Sequence, residues 1–298
     1  MGRNYIYEAA RVRVMESFLL SEEDEKRLLD AKSETELIQL LKNRGFGNQE
    51  MKSVKRLLNE EKNKLQILSK ELSGSPLVYR VLCLTEVYEQ LKLKLKQSYC
   101  NPTERTVKGF ISESLQRQLP FWTSKMETAA LEAMSLLLQT GNAQLFDMVL
   151  DQAALQELYD TARKTRIYAL EKYAGQTVAV TDIRIAVRGA AMKKTESFLI
   201  EAMAECRQID IHSLAVWAGK GIKELCIYLE EHGWQEAVEA WKQSPGAFDR
   251  WCENSVLDVL EKEKNQAGSF GTVLFYLIRR EQEMKKVRVI ANNLLRNQ

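Results

Sequence analysis

TELIQLLKNRGF, residues 35–46, and KELCIYLEEHGW, residues 223–234, are two copies of one pattern. Each has Glu-Leu near its start, an apolar pair four and five positions after the Glu, Gly nine positions after it, and an aromatic residue next. A third copy, LEAMSLLLQTGN at residues 131–142, keeps Glu132, Leu136, Leu137 and Gly141 but carries Asn142 in place of the aromatic. The apolar positions recur at three- and four-residue spacings, which places them on one helical face. The Gly falls where a left-handed C-cap ends such a helix.

From Glu36 to Glu132 is 96 residues and from Glu132 to Glu224 is 92, so the chain repeats at roughly one-hundred-residue intervals. A second mark shares that period. Gln90-Leu91-Lys92, Asp182-Ile183-Arg184 and Lys286-Val287-Arg288 each pair an aliphatic residue with a following base, and they stand 92 and 104 residues apart. Phe146-Asp147 and Phe248-Asp249 form a third mark at a separation of 102. These spacings predict three helical units, residues 1–102, 103–195 and 196–298.

Between the marks the chain reads as helix throughout. Ile6, Ala9, Ala10, Val12, Phe18 and Leu19 carry the helical period, and Ser21, three residues ahead of Asp24, predicts the N-cap of the next helix. Interruptions are expected at Gly74-Ser75-Pro76, Asn101-Pro102, Pro120, Gly175 and Ser244-Pro245-Gly246, none long enough to be a flexible linker. Leu91-Lys92-Leu93-Lys94-Leu95-Lys96 alternates like a strand, but its Glu-, Gln-, Leu- and Lys-rich flanks favour helix. The expected fold class is all-α.

Composition excludes several function classes. With 43 Lys and Arg against 41 Asp and Glu, a surface wholly committed to nucleic acid is excluded, and the five tryptophans lie largely apart from the basic clusters. No apolar run approaches the roughly 20 residues of a spanning helix. Glu8, Arg11 and Arg13 interrupt the first apolar pattern and argue against a secretory signal, so a cytosolic protein is expected. Five scattered cysteines without a C-x-x-C pair read as reduced, packed thiols, and His212 and His232 alone are little material for a metal site or a proton relay. Ala218-Gly219-Lys220-Gly221 has Leu214 where a phosphate-binding loop needs Gly and Gly221 where it needs Ser or Thr; it predicts a turn before a helix. No nucleophile has a matching base, so no catalytic, cofactor-binding or metal-binding residue is expected.

Charge follows the repeat. Residues 90–108, 184–194 and 276–298 each carry a net charge of +4 in a chain whose total is +2, so the rest is acidic. Solvated faces are the ordinary reading of a basic cluster, yet three at equivalent places suggest a shared surface.

Tyr5 to Phe18 (YIYEAARVRVMESF), Leu28-Leu29 with Glu34 to Gly47, and Leu277 to Ile290 (LIRREQEMKKVRVI) together resemble the C subunit of bacterial and archaeal V-type (A-type) ATPases, a group that includes vacuolar ATPase subunit d. Where that family often places Asn ahead of the aliphatic-basic pair, this chain has Gln90, Asp182 and Lys286. The resemblance implies a funnel of three pseudo-symmetric helical units. It implies a non-catalytic part of the central stalk, on the cytoplasmic face of the membrane, joining the rotor shaft to the proteolipid ring, with no cofactor, nucleic acid or small-molecule substrate. In that setting Lys92, Lys96, Arg184, Arg188, Lys285 and Arg288 are the expected polar contacts with the shaft or the ring. The competing reading is a helical repeat adaptor that binds an acidic partner without any rotary role.

Overall fold

Most helix starts are set by the side chain just before them. In the computed structural model, which describes residues 5–48, 50–100, 106–265 and 268–296, Ser21, Ser33, Ser53, Thr123, Asn142, Thr195 and Asp210 each accept a backbone N–H two or three residues further on. Ser21 completes the capping box read from the sequence, because the Asp24 carboxylate accepts the Ser21 N–H at 2.9 Å.

Sixteen helices result, and no strand occurs among the described residues. They are α1 (Ile6–Glu16), α2 (Glu22–Asp30), α3 (Glu34–Asn43), α4 (Val54–Ser73), α5 (Pro76–Cys100), α6 (Val107–Phe110), α7 (Glu113–Arg117) and α8 (Ser124–Thr140). There follow α9 (Ala143–Thr165), α10 (Tyr168–Ala191), α11 (Glu196–Ala202), α12 (Ile211–Lys220), α13 (Ile222–Glu231), α14 (Gln235–Gln243), α15 (Pro245–Lys264) and α16 (Gly271–Arg296). The alternating Leu-Lys run lies inside α5. Leu84, Val87, Tyr88, Leu91 and Leu95 are buried while Leu93 is 59% exposed, so the helical period overrides the alternation.

By contact the chain forms two compact units, Met1–Tyr79 with Leu260–Gln298, and Arg80–Val259. In the first, α16 lies against α1, α2, α3 and α4. Its Met284, Val287 and Ala291 share a core with Leu28, Leu37, Leu41, Phe46, Val54, Leu57 and Leu58, where each large side chain contributes about 1.5–3 kcal/mol of burial. In the second, Ile183, Ala186 and Val187 of α10 meet Leu214 and Ala215 of α12 and Leu225 and Leu229 of α13. Trp217, Trp234, Trp241 and Trp251 are packed against this second core. The threefold boundaries expected from the sequence rest on internal similarity and are separate from this division by contact. The first of them, and the Asn101-Pro102 interruption, lie outside the described residues.

The repeat has a physical signature at its glycines. Gly45, Gly141 and Gly233 all take positive φ, at +73°, +65° and +86°. In the first and third copies the aromatic residue after the Gly sends its N–H back to a leucine carbonyl, Phe46 to Leu41 at 3.1 Å and Trp234 to Leu229 at 2.9 Å. This is the six-to-one bond of a Schellman cap. The middle copy makes the simpler bond from Gly141 N–H to Leu137 O at 2.9 Å. Its Asn142 is free to cap α9 by accepting from Gln144 and Leu145, which accounts for the missing aromatic.

Gly74-Ser75-Pro76, Pro120 and Ser244-Pro245-Gly246 fall at or between helix ends as expected. Gly175 does not. It lies inside α10, and a Cβ there would stand 1.9 Å from Gln208 Nε2, so it marks a close approach rather than a break. Ala218 to Lys220 form the end of α12, and the expected turn is confined to Gly221, with φ +133°, which ends α12 and precedes α13.

Candidate partner-binding surface

The middle residue of each aliphatic-basic mark belongs to the core. Leu91, Ile183 and Val287 are all 0% exposed, so the base that follows each one is held at the margin of buried structure. On α5, Lys92 Nζ lies 2.6 Å from Asp151 Oδ1 and 2.6 Å from Glu89 Oε1. One turn later Lys96 Nζ lies 2.6 Å from Asp147 Oδ1 and 5.5 Å from the centre of the Phe146 ring. Burial opposes the charge of Lys92, but its hydrogen bonds to Asp151 and Glu89 outweigh that effect and hold its pKa above the ordinary lysine value. On α10, Arg188 Nη2 stands 3.2 Å from Asp249 Oδ1, with Arg184 Nε at 3.9 Å from the same oxygen.

Two of the repeated marks therefore meet in space. Lys96 and Arg188, one turn after the bases of the first two marks, reach the Asp of Phe146-Asp147 and of Phe248-Asp249, while Phe146 and Phe248 are buried beneath. Four of the six candidate bases thus have an acid of the same chain beside them. The more exposed of these pairs, such as Arg188 with Asp249, are worth at most about 1 kcal/mol and are weakened by salt.

Lys285 and Arg288 differ. Both are exposed, they lie three residues apart on one face of α16, and neither has an ion-pair partner among the described residues. Their neighbour Lys286 turns the other way, its Nζ 2.8 Å from Glu25 Oε1, an oxygen shared with Arg279 Nη2 at 3.2 Å. Arg288 edges a groove of about 420 Å³ between α3, α4 and α16. The groove is floored by Leu37, Val54, Leu58, Ala291 and Leu294 and rimmed by Lys55, Asn59 and Asn292. Glu34, also at the rim, accepts the Val54 N–H at 2.9 Å and is thereby tied to the start of α4.

A buried ionic cluster fixes α16 in place, and it escaped the sequence reading. Arg280, 2% exposed, donates from Nε to Glu61 Oε1 at 2.8 Å and from Nη1 to Glu283 Oε2 at 3.1 Å. It also donates to the carbonyls of Phe18 and Arg44, both at 3.2 Å, with its guanidinium 3.6 Å from the centre of the Phe46 ring. Glu283 accepts the Leu20 N–H at 2.7 Å and Glu61 accepts the Gly47 N–H at 3.2 Å. Burial pushes the Glu283 carboxyl above the usual range even with Arg280 beside it. The legible signal was position: Arg280 falls between Val273, Tyr276 and Met284, Val287 on the apolar stripe of α16, where a charge must be internally satisfied.

Asp182, which opens the middle mark, is 0% exposed. Its Oδ1 accepts the Ala204 N–H at 3.1 Å, while Oδ2 has no partner. Burial pushes its pKa up to about 8, against the pull of that hydrogen bond. At neutral pH it is therefore a neutral acid that ties the segment after α11 to α10, which an amide would do equally well. Among the described residues no three His, Cys, Asp or Glu side chains form a group able to hold a metal ion.

The chain is thus all-helical among its described residues, with α16 packed on α1 to α4 and with Arg288 exposed beside an apolar groove. Over residues 9–297 the sequence matches the family model of the ATP synthase (C/AC39) subunit. The chain belongs to that family. A comparison with curated proteins gives no match. As a C/AC39 subunit it is a component of a rotary ATPase of the V/A type, and not that machine's catalytic subunit. No helix among the described residues of this C/AC39 chain is long and apolar enough to cross a membrane.

Proposed function

We propose that this C/AC39 subunit couples the central rotor shaft of a V-type or A-type ATPase to the membrane proteolipid ring, on the cytoplasmic face of the membrane. Rotation driven by ATP hydrolysis elsewhere passes through it to the ring that moves ions, and in the reverse direction it serves ATP synthesis. The observation that carries the reading is the family match along nearly the whole chain. The helical architecture agrees with it, since helices joined by short turns suit a part that transmits torque and performs no chemistry. The three repeats, residues 1–102, 103–195 and 196–298, are on this reading the pseudo-symmetric units of a funnel. Of the six bases proposed as contacts, Lys285 and Arg288 are the strongest, because their charges are unanswered among the described residues. Lys92, Lys96, Arg184 and Arg188 would have to exchange an internal acid for one on a partner.

Deleting the gene in its host and assaying the membranes separates this reading from an adaptor without a rotary role. The expected result is loss of ATP-driven ion pumping while ATP hydrolysis persists in a detached soluble sector. Unchanged coupled pumping would refute it.

A further inference from the structure

We infer that the groove between α3, α4 and α16 is a docking site for an amphipathic, acidic helix of another subunit, a step that rests on the rotary reading above. The floor supplies the apolar half of the argument. Leu37, Val54, Leu58, Ala291 and Leu294 line a depression of about 420 Å³, room for more than one large side chain. The rim supplies the charge. Lys55 and Arg288 are exposed on different helices and neither is paired with an acid among the described residues. Lys55 sits in the first turn of the 20-residue helix α4, whose N-terminal dipole adds to the positive potential. The one acid at the rim, Glu34, is already engaged by the Val54 N–H. A carboxylate between Lys55 and Arg288 thus meets complementary charge, whereas a basic segment is repelled.

The occupant is a helix for a backbone reason. All three walls are helices whose main-chain groups bond within themselves, so an extended peptide finds no strand edge to pair with. A helix satisfies its own backbone and presents apolar side chains at three- and four-residue spacing to the floor, with an acid one turn away at the rim. Asn59 and Asn292, at the same rim, can bond polar groups flanking that stripe.

The test uses the full chain in its assembled complex, with the photo-cross-linking residue p-benzoylphenylalanine placed at position 59 or 292. On irradiation both positions should capture the same segment of another subunit, one whose sequence sets an acid within a turn of apolar residues. Binding of purified full-length chain to the remainder of the complex gives a second readout. Arg288→Glu should weaken it about tenfold at low salt, Arg288→Lys should retain most of it, and the difference should shrink as salt rises. Circular dichroism identical to the unsubstituted chain shows that the fold survives. If the chain co-purifies with the complex but neither position cross-links, the groove is not a docking site, while the rotary reading stands. Capture of lipid, of a second copy of this chain or of a basic segment overturns the inference equally. If the chain does not co-purify at all, the rotary reading falls and takes this inference with it.

Discussion

Asp182→Asn should make the second unit less sensitive to pH between 5 and 7, and the size of the change follows from the geometry. In the folded chain Asp182 is fully buried, one oxygen holds the Ala204 N–H, and its pKa stands at about 8 instead of the 3.8 of an exposed aspartate. The folded state therefore keeps a proton that the unfolded chain releases. Its stabilising effect is complete below about pH 4 and is lost as pH rises towards 8. Each pH unit in that window removes about 1.4 kcal/mol, so the loss between pH 5 and pH 7 is roughly 2–3 kcal/mol. Asparagine has the same shape, accepts from Ala204 through its carbonyl and cannot ionise. The variant should lack this component, and all other titrating groups cancel in the difference. All five tryptophans lie within Arg80–Val259, so urea unfolding followed by their fluorescence reports on the unit that contains Asp182. Parallel stability–pH curves for the two proteins would refute the claim that this carboxyl is buried and protonated.

Three further substitutions test the fold. Arg280→Met leaves buried Glu61 and Glu283 with only the longer contacts to Lys64 at 3.9 Å and Arg279 at 3.8 Å and should cost about 3 kcal/mol, with Arg280→Lys recovering little because it cannot reach the same carbonyls and carboxylates; limited proteolysis around α1 and α4 reads the loss. Gly233→Ala has open space around its new methyl group, so only the left-handed backbone resists it, and a cost of about 1–2 kcal/mol in chemical denaturation is expected. Gly189→Ala improves helix propensity, yet its Cβ would lie 2.3 Å from Leu199 Cδ2 in the core. It should lower stability by about 1–3 kcal/mol, and a gain in melting temperature would contradict this.

Local signals survived the passage from sequence to structure better than distant ones. Ser21 with Asp24, and the glycines at 45, 141 and 233, were legible because a cap is decided by a few neighbouring residues. Gly175 was misread because the reason for it, the Gln208 amide, belongs to another part of the chain. The marks Lys92 to Lys96 and Phe146-Asp147 were both visible, but not that they touch. Lys96 and Asp147 are 51 residues apart, and periodicity carries no information about which helices become neighbours. The six candidate bases looked alike in sequence because type and spacing do not report pairing. Only the positions of Asp147, Asp151 and Asp249 separate the four that are answered internally from Lys285 and Arg288. Arg280 was hidden in the same way, one arginine in a basic run that also holds the exposed Lys285 and Arg288.

The first unit is assembled from the two ends of the chain, whereas the second is one uninterrupted stretch. During synthesis, α1 to α4 emerge well before the helix that completes their core, and Arg280, which answers Glu61, follows it by 219 residues. Helices α6 to α14 lie in the single stretch Arg80–Val259, which is made before α16. Until residues 260–298 are made, α1 to α4 therefore lack part of their core and leave apolar surface open to chaperones and proteases. A nonsense mutation ahead of α16 would release α1 to α4 without Met284, Val287 and Ala291, the residues that complete their core.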